Sequence, residues 1–183
     1  MLLRGHLIPF ELQGGPVKRL LVLFLLLSCT IAFGQKKKEA NANPASSTNP
    51  ANIWVGNYKL DLAQSKMAGQ PPQQETVAVS AASKDSIKYT IQGKDAQGNS
   101  YTMNFEGKPG AASPQMAEGK KIADITYQMP SSHQFTSQGH GSDGSSSTGT
   151  ITLSQDNKTI TVREHSKDPK GAEQDQTMVY VRQ

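Results

Sequence analysis

The chain has 183 residues, 35% of them hydrophobic and 19% charged, which is about one domain's worth of protein. Its single cysteine, Cys29, excludes a disulfide-stapled scaffold and a thiolate metal cluster. The net charge of +4 falls to +2 once residues 1–34 are set aside, because they carry Arg4, Lys18 and Arg19 against Glu11 and leave 16 basic against 14 acidic residues. Lys36-Lys37-Lys38 supplies three of those 16, so the sequence offers no basic face of the kind nucleic-acid binding requires, and no nucleic-acid partner is expected.

Residues 1–34 read as a signal peptide. Lys18-Arg19 leads into the apolar run Leu20–Leu27, and Ala32-Phe33-Gly34 offers small residues at the two positions a signal peptidase reads, so cleavage is expected before Gln35. The run is too short to span a bilayer, and no membrane span is expected elsewhere. A complete secretion signal already begins at Val17, which points to a translation start at position 17. Leu26-Leu27-Ser28-Cys29 loosely resembles a bacterial lipobox, so a lipid anchor at Cys29 is the alternative to plain secretion. Either way the expected location is periplasmic or extracellular. Residues 35–52 (QKKKEANANPASSTNPAN) lack apolar periodicity and cannot bury enough surface to offset their ordering entropy, which predicts a disordered linker.

Residues 53–183 read as strand after strand. Period-2 alternation runs through Tyr58, Leu60 and Leu62, then Val77, Val79 and Ala81, Ile87, Tyr89 and Ile91, and Tyr101, Met103 and Phe105. It resumes at Ala123, Ile125, Tyr127 and Met129, at Ile151 and Leu153, at Ile160 and Val162, and at Met178 and Tyr180. Lys84-Asp85, Asp95 to Asn99 and Asp156-Asn157 supply turns. Residues 62–67 predict at most one helical turn. Gly107–Lys121 and Gly139–Gly149, rich in small residues, predict long loops. About eight or nine short antiparallel strands with one apolar face each must close on themselves or pack on a second sheet. The expected fold is all-β, a small up-and-down barrel, with a β-sandwich as the alternative.

Gly56-Asn57-Tyr58-Lys59-Leu60 resembles the glycine-x-tryptophan opening of the lipocalin-like (calycin-type) barrels, with tyrosine in place of tryptophan. Asp61 to Lys66, Ser154 to Thr161 and the closing Val179-Tyr180-Val181-Arg182 are similar to segments of uncharacterised secreted bacterial lipocalin-like proteins. The resemblance implies a lipocalin-like barrel in which Gly56 bends the first strand, Tyr58 plugs the floor and Arg182 packs across its ring. Trp54, on the same strand parity, caps that floor or stands in for the missing tryptophan.

Chemistry-bearing clusters are sparse. His133, His140 and His165 lack the spacing that puts two ligands on one face, so neither metal nor cofactor is expected. Gly141-Ser142-Asp143-Gly144 lacks the strand-to-helix setting of a nucleophile elbow. Asp124 and Glu164 are the acids centred in strands, and parity with Ile160 and Val162 turns Glu164 inward, as a partner for Arg182 or an anchor for a ligand. The expectation is a binding module and not an enzyme. Tyr89, Tyr101, Phe105, Tyr127, Glu164, Tyr180 and Arg182 are its expected contacts to a small apolar or amphipathic molecule. The alternative is a ligand-free structural or protein-interaction domain of the cell envelope, its interior packed solid. Peptide mass spectrometry of the exported protein is expected to find Gln35 at the N-terminus and no native fragment of residues 1–16.

Overall fold

The computed structural model describes residues 53–183, so the expected signal peptide, the start at 17, the Cys29 anchor and the linker 35–52 all lie outside the described residues. Ten strands follow in order: β1 (Gly56–Leu60), β2 (Gln74–Ala82), β3 (Ile87–Lys94), β4 (Ser100–Gly107), β5 (Ala112–Ala117), β6 (Lys120–Ser131), β7 (Gln134–Gly141), β8 (Ser146–Leu153), β9 (Thr159–Lys167) and β10 (Glu173–Arg182). Each pairs antiparallel with its neighbours in sequence, and β1 also pairs with β10, closing an up-and-down barrel. The ring excludes the sandwich. Closure also removes sheet edges, the feature by which open sheets aggregate.

The count exceeds the expected eight or nine because both supposed long loops contain strand. Within Gly107–Lys121 the chain forms β5 and reverses through Glu118 (φ 49°) and Gly119 (φ 78°), two successive left-handed residues that make a tight hairpin. Gly139–Gly149 contains the end of β7, a turn at 142–145 and the start of β8. Its glycines and serines have no apolar pattern because they face one another inside the wall. A Cβ on Gly139 would lie 2.7 Å from Ser147 Oγ, and one on Gly149 would lie 2.6 Å from Ser137 Oγ.

The expected helical turn at 62–67 is instead a turn held by Asp61, whose Oδ1 accepts from the Ala63 and Gln64 amides, and Leu62 is exposed. The chain then runs beside β10, where Lys66 and Thr177 exchange backbone hydrogen bonds and Ser65 Oγ accepts from the Val179 amide. A register shift between Val79 and Ala81 moves burial from the expected Ala81 to Ala82.

One end of the barrel is sealed. Trp54 is buried, donates from Nε1 to the Ser132 carbonyl at 2.7 Å and meets Phe135 edge-on. Tyr58 is fully buried and donates to the Trp54 carbonyl. Arg182 lies across the Tyr58 ring at 4.7 Å and donates to the carbonyls of Ile53, Val55 and Asn157 and to the Tyr58 hydroxyl. The two charges that could have met do not, for Glu164 stands much further along the wall. Gly56 is needed here because a Cβ would sit 2.4 Å from Arg182 Nη1.

Removing the guanidinium by Arg182→Ala strands three carbonyls and is expected to cost about 3 kcal/mol in urea unfolding. Gly56→Ala is expected to destabilise the barrel more in the presence of Arg182 than in the Arg182→Ala background. A double-mutant cycle reads that coupling directly.

Candidate functional site in the barrel interior

The lower interior is aromatic and aliphatic. Trp54 contacts Phe135, Phe135 meets Tyr127 at 6.3 Å, Tyr127 meets Phe105 edge-on at 5.1 Å, and Phe105 stacks on Tyr89 at 5.3 Å. Such pairs each contribute about 0.5–1.5 kcal/mol beyond the area they bury. The Tyr89 and Tyr127 hydroxyls are 2.8 Å apart, which lets two phenols share a proton donor inside an apolar wall. Burial raises the pKa of both, that of Tyr127 to about 12.

Above this zone the wall changes character. The registers place Tyr127, Ser137, Gly149, Glu164 and Gln176 in one row across β6 to β10. The next row toward the open end is Ile125, Gly139, Ser147, Ser166 and Gln174. On β7 and β8 the inner surface is therefore backbone and hydroxyl, with little side-chain volume. Several inward aliphatic residues (Val77, Val79, Ile91, Ile151, Val162) are only partly buried, whereas Met103, Phe105, Leu153 and Met178 beside them are buried.

Two carboxyl groups face this interior. Glu75 is buried and fully engaged, for Tyr101 donates to Oε2 at 2.6 Å and Tyr180 donates to Oε1 at 2.5 Å. Burial raises its pKa, and the two phenols oppose that rise. Gly93 makes the contact possible, since a Cβ there would lie 2.4 Å from Tyr101 Oη. Glu164 is less well served. Its Oε1 is buried without a partner, as are Oε1 of Gln115 and Oε1 of Gln176. Burial pushes the Glu164 pKa up to about 7, opposed by a hydrogen bond from Gln176. Its charge acts on Tyr89, Tyr127 and Tyr180, raising the pKa of each.

Of the residues expected to contact a ligand, Tyr89, Tyr101, Phe105, Tyr127, Glu164 and Tyr180 face this one interior. Arg182 does not, because its donors are spent on the floor. Tyr180 is tied to Glu75. Glu75, Gln115 and Gln176 were missed as interior polar groups. Parity with Val77 and with Met178 marks the first and last, whereas Gln115 lies in a strand that proline interrupts and that reads as loop. Asp124 faces outward and pairs with Lys121 at 2.8 Å, on the opposite face of the wall from Glu164. His140 and His165 are exposed on the outer face, His165 beside Asp175 at 2.9 Å, and His133 sits in the floor turn against Asn157. Among the described residues no group of three His, Cys, Asp or Glu side chains is placed to hold a metal, and no helix is long and apolar enough to cross a membrane.

Two grooves of about 350 and 310 Å³ lie along the wall, the larger lined by Arg163, His165 and Asp175 together with Glu164 and Gln176, the smaller mostly by outward threonines and glutamines of β6 to β8. No protein-family model and no curated protein matches the chain. Solved structures it is similar to include EF1p2_mFAP2b bound to DFHBI, at 12% identity over 72% of this chain and 95% of that one, with a TM-score of 0.43. A redesigned β-barrel, b11L5F_LGL, is 11% identical over 75% of this chain and 99% of that one, also at 0.43. Likenesses at this level say nothing about what this chain holds.

A carboxyl whose pKa is raised on folding binds its proton more tightly in the native state, so its contribution to stability is full below the unfolded value and is lost as pH rises through about 7. Glu164→Gln is therefore expected to stabilise the barrel at pH 8 by about 2–3 kcal/mol and to change little at pH 4. Urea unfolding at the two pH values measures the difference.

Proposed function

We propose that the chain is a secreted, lipocalin-like barrel that carries one small apolar or amphipathic molecule inside it, a binding module and not an enzyme. The partly buried state of the inward Val77, Val79, Ile91, Ile151 and Val162 is the observation that most supports this reading, since a solid core would bury them as it buries Leu153 and Met103. An aromatic wall with a few polar groups above it suits a molecule with an apolar body and one polar end. The sealed floor leaves the opposite end as the way in. Lipocalin-like membership rests on Gly56, Tyr58 and Arg182 and their joint arrangement at that floor. Export rests on Lys18-Arg19, the apolar run after it and Ala32-Phe33-Gly34.

The test is native mass spectrometry of the chain purified from a host that exports it, before and after incubation with a lipid and pigment extract. The expected result is an adduct that is released on denaturation and identified in the solvent phase. A clean mass under both conditions would overturn the reading in favour of a ligand-free structural or interaction domain.

A further inference from the structure

We propose that the molecule taken up is an organic cation, a protonated amine on an apolar or aromatic body, with Glu164 as its counter-ion; the inference rests on the binding reading above. Three observations lead to it. The first is what the interior lacks. Gln115 is 2% exposed and Gln176 7% exposed, and each has a buried Oε1 without a donor, as does Glu164. All three vacant positions are acceptors. A buried acceptor left unpaired costs about 1–3 kcal/mol, and a ligand bearing N–H groups recovers that cost.

The second observation is charge. The ionisable side chains that face the interior are Glu75, Glu164 and the phenols of Tyr89, Tyr101, Tyr127 and Tyr180. Every described lysine is exposed, as are Arg163, His140 and His165, and Arg182 and His133 belong to the floor. No cation of the chain stands on the inner face, although Arg163 and His165 share a groove of the wall with Glu164, and an anionic ligand inside the barrel would meet repulsion.

The third is shape. Only Ser137 and Gly149 separate Tyr127 from Glu164 along their shared row, so little side-chain bulk stands between an aromatic ring and the carboxylate. An ammonium group seated between them gains the Glu164 charge, the Gln176 carbonyl oxygen and the ring face together. The body then lies along Phe105 and Tyr89. Glu75 does not compete for the amine, since both its oxygens already accept from phenols.

Binding depends on pH through Glu164. The groups facing it are neutral near pH 8: Gly149 on β8, Gln176 on β10, and across the interior Tyr89, Tyr127 and Tyr180, whose phenols burial keeps protonated. Glu75 lies beyond Tyr180 and adds a second acidic group of the same sign. Arg163 and His165 on its own strand and Asp175 on β10 are exposed on the outer side of the wall, where they line one groove with Glu164. Acidification protonates Glu164 and removes the attraction while the amine itself stays charged.

Isothermal titration of the full chain with phenylbutylamine, phenylbutanol and phenylbutyrate tests this, because the three share one body and differ in head charge. At pH 8 the amine is expected to bind about tenfold or more tightly than the alcohol, and the carboxylate not measurably. The preference is expected to vanish at pH 5 and in Glu164→Gln, which keeps its affinity for the alcohol. Gln176→Met is expected to weaken the amine alone. Equal binding of amine and alcohol, or a preference that survives Glu164→Gln, would overturn the inference and leave the binding reading standing. If none of the three binds and the native mass is also clean, both fall together.

Discussion

The barrel hangs on the closure of its ring by one short strand. β1 has five residues, pairs with β10 on one side and with β2 on the other, and without it the remaining nine strands form a sheet with two open edges. The residues it joins to β10 are 120 to 124 positions away in sequence, the separation at which chain-closure entropy in this fold is greatest. Arg182 answers that cost with one group. Its planar fork reaches the Ile53, Val55 and Asn157 carbonyls and the Tyr58 hydroxyl at once, which a lysine's point charge cannot reproduce. Gly56 is the geometric condition for that reach. The start of the domain, its last strand and the β8–β9 turn are thereby fixed to one another, and the interior acquires a floor.

With a floor in place, the two halves of the interior solve different problems. The lower half gathers Trp54, Phe135, Tyr127, Phe105 and Tyr89 into a continuous aromatic contact, and these supply much of the apolar burial that a domain of this size needs. The upper half gives up such burial. There β7 and β8 present glycine and serine where a stable core would place valine and isoleucine, and the neighbouring strands present glutamine and glutamate. Cohesion is concentrated below and hydrogen-bonding capacity above.

Period-2 alternation was enough to read most of this fold in the sequence, because each of eight strands carries at least two inward apolar residues. Glu164 could be placed inward for the same reason, by parity with Ile160 and Val162. The signal failed where the inner face carries at most one large apolar residue, as β7 does with Phe135. Gly139, Gly141, Ser147 and Gly149 alternate as faithfully as Ile160 and Val162 do, but hydropathy does not distinguish a small inward residue from a loop residue. β5 was hidden for a related reason, since Pro114 and Gln115 read as loop although Gln115 is buried. Both failures fall in or beside the polar half of the interior, where residues are set by something other than packing. The tethering of Tyr101 and Tyr180 to Glu75 was beyond reach, because it joins three strands through side chains alone.

Glu75 and Glu164 show what such placement can mean. They are the same residue type, both inward and both driven toward the neutral form by burial. Glu75 sits in a completed arrangement: each oxygen accepts from a phenol, a glycine makes way for one of those phenols, and nothing further is required. A carboxyl held this way stitches β2, β4 and β10 together and serves the fold. Glu164 is matched to one amide donor from Gln176 and keeps an oxygen without a partner, beside a wall stripped to glycine and serine. If its role were to tie strands together, a donor at Ser137 or Gly149 long enough to reach it would complete the arrangement, as Tyr101 and Tyr180 do for Glu75. The chain instead leaves an acceptor oxygen unpaired at that level. Unlike Glu75, Glu164 is incomplete within the protein alone.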